Sequence, residues 1–147
     1  MKTKSALLHT LLALVALGLA AGCATGTKGA SDEEQIQALL DTWEAGILAK
    51  DVGKIMATIS EEFTHDGYEY EAPDKATLQE FIEASIDEGN LDDVEISLED
   101  AQISIDGASA TVYPIDYTNI YGTVTFELVA TKEKGGWLFT DMIIEGL

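Results

Sequence analysis

The chain has 147 residues, 27 of them acidic and eight of them lysine, with no arginine and a formal net charge of −19. So anionic a chain is repelled by phosphate backbones and lacks the forked arginine donor that grips them, which excludes nucleic acid as a partner. One cysteine and two histidines exclude a disulfide within the chain and a zinc site built from several of these residues.

The first 22 residues have the pattern of an export leader. Lys2 and Lys4 precede an apolar run over residues 7–21, which is shorter than the roughly 20 apolar residues that a membrane span needs. Small residues then lead directly into Cys23, and this resembles the lipobox of bacterial lipoproteins. The resemblance implies an acylated Cys23 as the mature N-terminus. Ala24 beside it implies sorting to the outer membrane, facing the periplasm, in a Gram-negative host.

Removing the leader leaves 125 of the 147 residues, enough for one domain with its own core. We therefore divide the chain into a signal peptide (1–22), an acylated cysteine with a flexible tether (23–31) and a single domain (32–147). Without the two leader lysines the formal charge falls to −21. Solubility is the simplest role of this charge, and an acidic site for cations or basic partners is the alternative.

Three helices are predicted in the first half of the domain. Ser31 and Glu34 form a capping box, Asp51 and Asp74 are caps for the second and third helices, and Gly89 ends the third. Apolar residues follow each cap at helical spacing: Ile36, Leu39, Leu40, Trp43 and Ile47; Val52, Ile55, Met56 and Ile59; Leu78, Phe81, Ile82 and Ile86.

A small hairpin folded at Asp66-Gly67 is predicted over residues 63–71, between the second and third helices. From residue 91 onward the apolar period changes to two, which predicts strands. The last two of them are expected over residues 122–132 and 137–145. The final strand has apolar residues on both faces, which is typical of a strand in the centre of a sheet or of one whose back is covered.

Two neighbouring strands change their inward parity at corresponding places. One change occurs at Glu99-Asp100 and is explained by a one-residue bulge; the other occurs at Pro114. If Asp106-Gly107 is the two-residue turn between these strands, Ile103 faces Ala110 and the two changes lie side by side. We therefore expect a sharply bent sheet with a concave face.

This order of elements predicts the α+β class, with three N-terminal helices packed in a strongly curved mixed, mainly antiparallel sheet. Residues 41–51 (DTWEAGILAKD) and 132–141 (KEKGGWLFTD) resemble the nuclear transport factor 2-like superfamily, which includes ketosteroid isomerase and the polyketide-cyclase-like (SnoaL-like) proteins. The resemblance extends over nearly all of residues 32–147. It implies a cone whose open mouth leads to a pocket, often in a dimer, and either isomerase, cyclase or dehydratase chemistry or the binding of ligands or proteins only.

Four residues are candidates for proton-transfer chemistry. Asp66 lies near the position of the catalytic aspartate in similar isomerases, and the neighbouring His65 is an alternative base. Asp66 equally suits a tight turn and His65 a half-exposed strand. Asp116 or Asp141 becomes the best acid candidate if it faces inward beside Trp43, the residue that replaces the helical tyrosine of those isomerases.

Six aromatic residues are candidates for lining the pocket, and each also suits ordinary packing on the sheet or in the core: Trp43, Tyr68, Tyr113, Tyr117, Phe126 and Trp137. The sequence contains no phosphate-binding glycine loop, cofactor fingerprint or calcium loop with a central glycine, so neither a cofactor nor a metal is predicted.

Three functions follow from these patterns. The leading hypothesis is a lipid-anchored envelope protein whose non-catalytic domain binds a small apolar ligand or another envelope protein. The second is an isomerase, cyclase or dehydratase that uses a pocket carboxylate or histidine as its general base. The third is a structural module that forms a homodimer.

Overall fold

The computed structural model describes residues 29–65 and 74–145. The predicted leader, Cys23 and the hairpin residues Asp66 and Tyr68 lie outside the described residues. Three helices precede five strands in chain order: α1 (Asp32–Ala49), α2 (Val52–Ala57), α3 (Lys75–Asp87), β1 (Glu95–Ser97), β2 (Gln102–Asp106), β3 (Ser109–Asn119), β4 (Gly122–Glu133) and β5 (Gly136–Glu145).

Each helix begins where the sequence supplies a side-chain cap. The Ser31 hydroxyl accepts from the backbone N–H of Glu34, and the Glu34 carboxylate accepts from that of Ser31, which confirms the capping box. Asp51 and Asp74 cap α2 and α3 in the same way. Lys50, with a φ of 53°, ends α1 in the left-handed conformation. Over the described residues, no helix is both long and apolar enough to cross a membrane.

The strands form one antiparallel sheet in the order β1-β3-β4-β5, and β2 pairs with β3 along the edge that β1 also uses. The outer edge of β5 is partly covered by the segment after α2. Phe139 donates its backbone N–H to Thr58 and accepts from Ser60, both at 2.9 Å, and a parallel bridge joins it to Ile59. This cover satisfies an otherwise open edge and makes the sheet mixed. The predicted α+β class is therefore confirmed.

The sheet bends where β3 contains Pro114. Val112 and Ile115 lie three residues apart in β3 but pair with Leu128 and Phe126, which lie two apart in β4. One extra residue is therefore accommodated in β3, as the parity change predicts. Because proline has no backbone N–H, the ladder of hydrogen bonds is also interrupted at this point.

The neighbouring strand breaks opposite the same point. Residues 98–101 form a turn, closed by a hydrogen bond from the Ala101 N–H to the Leu98 carbonyl at 3.1 Å, and this turn separates β1 from β2. The predicted one-residue bulge at Glu99-Asp100 is therefore wrong in form, because four residues lie opposite two in β3. The side-by-side position of the two breaks is as predicted.

The turn between β2 and β3 lies one residue later than the sequence predicts. Asp106 pairs with Ser109 and Ile103 with Val112, so the predicted pairing of Ile103 with Ala110 is wrong. Gly107 is the first of the two turn residues and has a φ of 63°, which is the glycine position of a type II′ turn. Moving the turn by one residue shifts the pairing between the two strands by two residues. The same side chains still face inward, because the strand period is also two.

The concave face of the sheet and the helices enclose one apolar core. Trp43 of α1 meets Phe126 of β4 edge to face, with the ring centroids 5.8 Å apart, a geometry worth about 0.5–1.5 kcal/mol beyond the burial of the rings. The largest fully buried apolar side chains are Phe139, Ile36, Leu40, Ile55, Ile115, Leu128 and Val112. All three helices and the strands β3, β4 and β5 contribute buried apolar residues to this core.

Gly46 allows α1 and α2 to approach each other closely. A Cβ atom at Gly46 would lie 2.8 Å from Cγ1 of Ile55 and 3.0 Å from its backbone nitrogen, closer than non-bonded atoms tolerate. Ile55 is buried in the core, so neither side chain nor backbone can move away at low cost.

We predict that Gly46→Ala lowers the free energy of unfolding by about 1–3 kcal/mol, because the added methyl group overpacks the contact between α1 and α2. The matched control is Gly53→Ala in α2, where the nearest atom to the new Cβ is 3.5 Å away; we expect a gain of about 0.5–1 kcal/mol from helix propensity. Urea unfolding measures both. Equal midpoints for the two variants would contradict this account of the contact.

Candidate ligand cavity

A cavity of about 310 Å³ lies between α3 and the curved sheet. α3 makes its main contacts with α2, while Leu78, Phe81 and Ile82 of α3 face the sheet across the cavity. The sheet side is formed by residues of β3, β4 and β5 beyond the bend at Pro114. The volume lies at the small end of the range for small-molecule sites.

The inner end of the cavity is apolar. Trp43 and Phe126, whose rings are in contact, form part of its wall, and both are almost fully buried. Aliphatic side chains complete this end: Ile47, Ile55, Ile59, Val124, Met142 and Ile144. An apolar molecule placed here loses contact with water without having to displace a bound polar group.

The mouth of the cavity is marked by its exposed lining residues. Phe81 is 58% exposed and Tyr121 is 76% exposed. The Tyr121 hydroxyl donates to Oδ1 of Asn90 at 3.0 Å, and its backbone N–H donates to Oδ1 of Asn119 at 2.9 Å. The bond to Asn90 joins the turn between β3 and β4 to the turn after α3, and the bond to Asn119 lies within the first of these turns. The mouth is therefore polar but carries no formal charge on these groups.

Tyr117 lies between the mouth and the apolar inner end. Tyr117 and Asn119 are alternate residues of β3, so their side chains share a face of the sheet, and both line the cavity. Burial raises the pKa of the Tyr117 phenol, and a hydrogen bond with the Asn119 side chain opposes that rise. The phenol is therefore neutral at physiological pH and is available as a hydrogen-bonding group.

Among the described residues that line the cavity, none is a carboxylate, histidine or lysine. The described parts of the chain likewise contain no group of three or more potential metal ligands placed to hold an ion. Within residues 29–65 and 74–145, the cavity wall consists of apolar groups, hydroxyls and amides, which bind neutral molecules by contact and hydrogen bonding.

Comparisons with known proteins identify the fold. No family model and no curated protein sequence matches the chain. A protein of unknown function with a cystatin-like fold from Nostoc punctiforme superposes with a TM-score of 0.63 at 19% identity, covering 76% of this chain and 88% of that one. A nuclear transport factor 2-like protein of unknown function from Shewanella baltica gives 0.60 at 19% identity, covering 78% and 92%.

A second nuclear transport factor 2-like protein of unknown function, from Shewanella oneidensis, gives a TM-score of 0.59 at 16% identity and covers 76% of this chain and 97% of its own. The domain has the nuclear transport factor 2-like cone fold. At these identities the likeness concerns the fold alone, so the activity of the cone must be argued from its own residues.

The structure brings three of the six aromatic candidates to the cavity of this cone: Trp43, Tyr117 and Phe126. Tyr113 lies in the β3 bulge, and its hydroxyl donates to Glu145 at 2.9 Å, a contact that raises the pKa of the Tyr113 phenol. The indole of Trp137 donates to Asp32 at 3.1 Å, at the start of α1. Neither Tyr113 nor Trp137 therefore lines the cavity. Tyr68 lies outside the described residues.

None of the described acid-base candidates is a lining residue of the cavity. Asp116 pairs with Thr125 on the outer face of the sheet, and its Oδ1 accepts a hydrogen bond from the Thr125 hydroxyl oxygen at 2.5 Å. Asp141 pairs with Val129 on that face and accepts from the backbone N–H of Met142. Nδ1 of His65 lies 2.6 Å from the Met142 carbonyl oxygen, which holds the ring against the backbone of β5. Asp66 lies outside the described residues.

The sequence contains signals for polar lining residues that were not among the candidates. Asn119 shares the period-two face of Ile115 and Tyr117, so strand alternation alone places it on the concave side. Tyr121 lies in the turn that ends β3, where an exposed aromatic residue is a common binding feature. Ser85 and Asn90 have no such signal, because their place depends on how α3 packs against α2.

Asp32 and its partners define what we call the tether end of the cone, at the start of α1. The Asp32 carboxylate accepts from Lys132 at 2.6 Å and from the Trp137 indole at 3.1 Å. These hydrogen bonds, Lys132 first, lower the pKa of Asp32 below its ordinary value of 3.8. Since the folded-state pKa is depressed, the stabilisation is complete above pH 3.8 and is lost as the pH falls through the folded-state value.

We predict that Asp32→Asn lowers the melting temperature near neutral pH and that the difference from the wild type disappears as the pH falls below about 3.8. The matched control is Glu33→Gln, which removes an equal charge from the same helix turn but no bond to Lys132 or Trp137. Thermal unfolding followed across this pH range tests both variants. An equal decrease in the melting temperature of the two variants would assign the effect to the helix dipole instead.

Proposed function

We propose that this protein is a lipid-anchored envelope protein whose cone binds a small, largely apolar ligand without transforming it. The observation that supports binding is the cavity of about 310 Å³, with its apolar inner end and its uncharged polar mouth. Proton transfer at a bound substrate needs a base within hydrogen-bonding reach, and none of His65, Asp116 and Asp141 is among the described residues that line the cavity.

The proposed anchor rests on the pattern of residues 1–23. The position of the start of α1, at the opposite end of that helix from the cavity mouth, is compatible with this anchor. The domain starts at the tether end, where Asp32 contacts Lys132. α1 then runs for 18 residues, or about 27 Å, to Lys50, which pairs with Asp92 beside the mouth. A tether that leaves from the start of α1 therefore leaves the mouth open to the aqueous phase.

The other two functions have less support from the described residues. A purely structural module is expected to fill its interior with side chains, whereas this cone keeps an open cavity. An enzyme of the isomerase, cyclase or dehydratase type now depends on Asp66, which lies outside the described residues, or on a different orientation of His65. A homodimer and an envelope protein as the ligand stay predictions.

We predict that Ser85→Phe weakens ligand binding, because Ser85 lines the cavity from α3 and a phenyl ring there would occupy part of its volume. Binding is measured with the neutral apolar dye N-phenyl-1-naphthylamine, whose fluorescence rises in apolar surroundings, and the affinity should fall at least about tenfold. The control is Ala84→Phe, which adds the same ring at the preceding position of α3, where the side chain is exposed.

Equal dye binding by the two variants would show that the dye does not use this cavity and would contradict the proposal. Native mass spectrometry of the domain from its own cells would identify a co-purified ligand and the stoichiometry together. Catalysis is tested by deuterium exchange at the carbon next to a carbonyl group in a bound ester or ketone. Exchange that the protein accelerates and that Asp66→Asn or His65→Ala abolishes would favour the enzyme instead.

The anchor gives a separate prediction. Cys23→Ser removes the thiol that the lipid would modify, so labelling with an alkyne analogue of palmitate should be lost in a Gram-negative host, and the protein should leave the membrane fraction. Ala24→Ser keeps the thiol and should keep both the label and the membrane association. Undiminished labelling of the Cys23→Ser variant would contradict the lipobox interpretation.

A further inference from the structure

The polar groups at the mouth differ in which of their hydrogen-bond donors and acceptors already have a partner. Asn119 accepts with Oδ1 from the Tyr121 N–H. Tyr117 lies two residues before Asn119 in the same wall of the cavity. Its hydroxyl donates to no acceptor among the described residues, so the phenol proton is available to a ligand in the cavity. The free group at this point of the wall is a donor.

The charges around the cavity disfavour the binding of both anions and cations. No described lysine lines it, and Lys50 is paired with Asp92, two residues after Asn90 of the mouth. Glu88 bonds to Asn90 at the mouth, and the chain after the leader has a formal charge of −21, so an anion meets repulsion on entry. A cation would lose its hydration without a carboxylate partner in the described lining.

We infer that the cavity selects neutral molecules in which an apolar body carries an oxygen acceptor, such as an ester, ether or alcohol, and that the Tyr117 hydroxyl is the residue that recognises this oxygen. The inference rests on the proposed function, because it specifies the ligand of the same cavity. Tyr117 lies on β3, so this role differs in position from that of the helical tyrosine whose place Trp43 takes.

The charge selection is tested with three ligands that share one alkyl chain: methyl octanoate, octanoate and octylammonium. Each displaces N-phenyl-1-naphthylamine from residues 24–147, which contain the whole described core, at about pH 7, where the acid and the amine are ionised. We expect methyl octanoate to bind at least about tenfold more tightly than either ion. Octanoate or octylammonium binding as tightly as the ester would overturn the selection of neutral ligands.

The role of Tyr117 is tested by Tyr117→Phe, which removes the hydroxyl and keeps the ring. The affinity for methyl octanoate should fall about three- to tenfold, the usual value of one hydrogen bond, while the affinity for naphthalene, which has no acceptor oxygen, should stay unchanged. Tyr113→Phe makes the same chemical change at a tyrosine that does not line the cavity and should affect neither ligand.

Two outcomes separate this inference from the proposed function. If Tyr117→Phe weakens naphthalene as much as the ester, the hydroxyl acts on the shape of the cavity and its role in recognition is overturned, although the cavity still binds. If neither the dye nor any of these ligands binds to the wild-type domain, the proposed function fails and this inference fails with it. Circular dichroism and melting temperatures confirm that each variant is folded.

Discussion

The bend of the sheet at Pro114 is the constraint on which the cavity depends. β3 has neighbours on both sides, and a proline in such a strand interrupts the ladder and requires a bulge. Both neighbours adjust at the level of the proline. On one side the neighbouring strand separates into β1 and β2, and on the other side the pairing of β3 with β4 shifts. A further shift occurs between β4 and β5, where Ala130 pairs with Phe139 and Val129 with Asp141. The sheet therefore curves around α1, and α3 closes the concave side without filling it.

The chain separates its charge from this cavity. The described ion pairs lie on the surface, and the bonds of Asp32 to Lys132 and Trp137 lie at the tether end, away from the mouth. The described wall of the cavity contains aromatic rings, aliphatic side chains, hydroxyls and amides. Such a wall can exclude water and orient one neutral group, whereas general acid-base chemistry needs an ionisable side chain at the reacting atom. The described surface therefore carries the charge of the domain, whereas the described cavity wall is uncharged.

Much of the fold could be predicted from local chemistry. The caps at Ser31, Asp51 and Asp74 depend on bonds that span three residues, so the helix starts are fixed by adjacent sequence. The parity change at Pro114 was equally visible, because proline forbids one ladder bond. The turn before β3 was misplaced by one residue, since both Asp106-Gly107 and Gly107-Ala108 keep the same faces inward and only the glycine conformation distinguishes them. Trp137 and Tyr113 were candidates for the pocket because aromaticity does not encode which end or face of a sheet a ring occupies.

The sequence by itself determined the α+β order, the starts of the helices, the broken strand and the scarcity of positive charge, because each of these follows from neighbouring residues or from composition. The end of the second helix was not among them, because Ile59, predicted to belong to it, lies beyond Ala57 and forms a bridge to Phe139. Only the tertiary structure decided that Trp43, Tyr117 and Phe126 meet at one cavity and that Asp141, beside the register shift between β4 and β5, lies on the outer face of the sheet. The physical reason is that a bulge moves every later side chain of its strand to the opposite face. Which residues then meet depends on the pairing of strands and on the packing of α3, and these contacts join parts of the chain that are far apart in sequence.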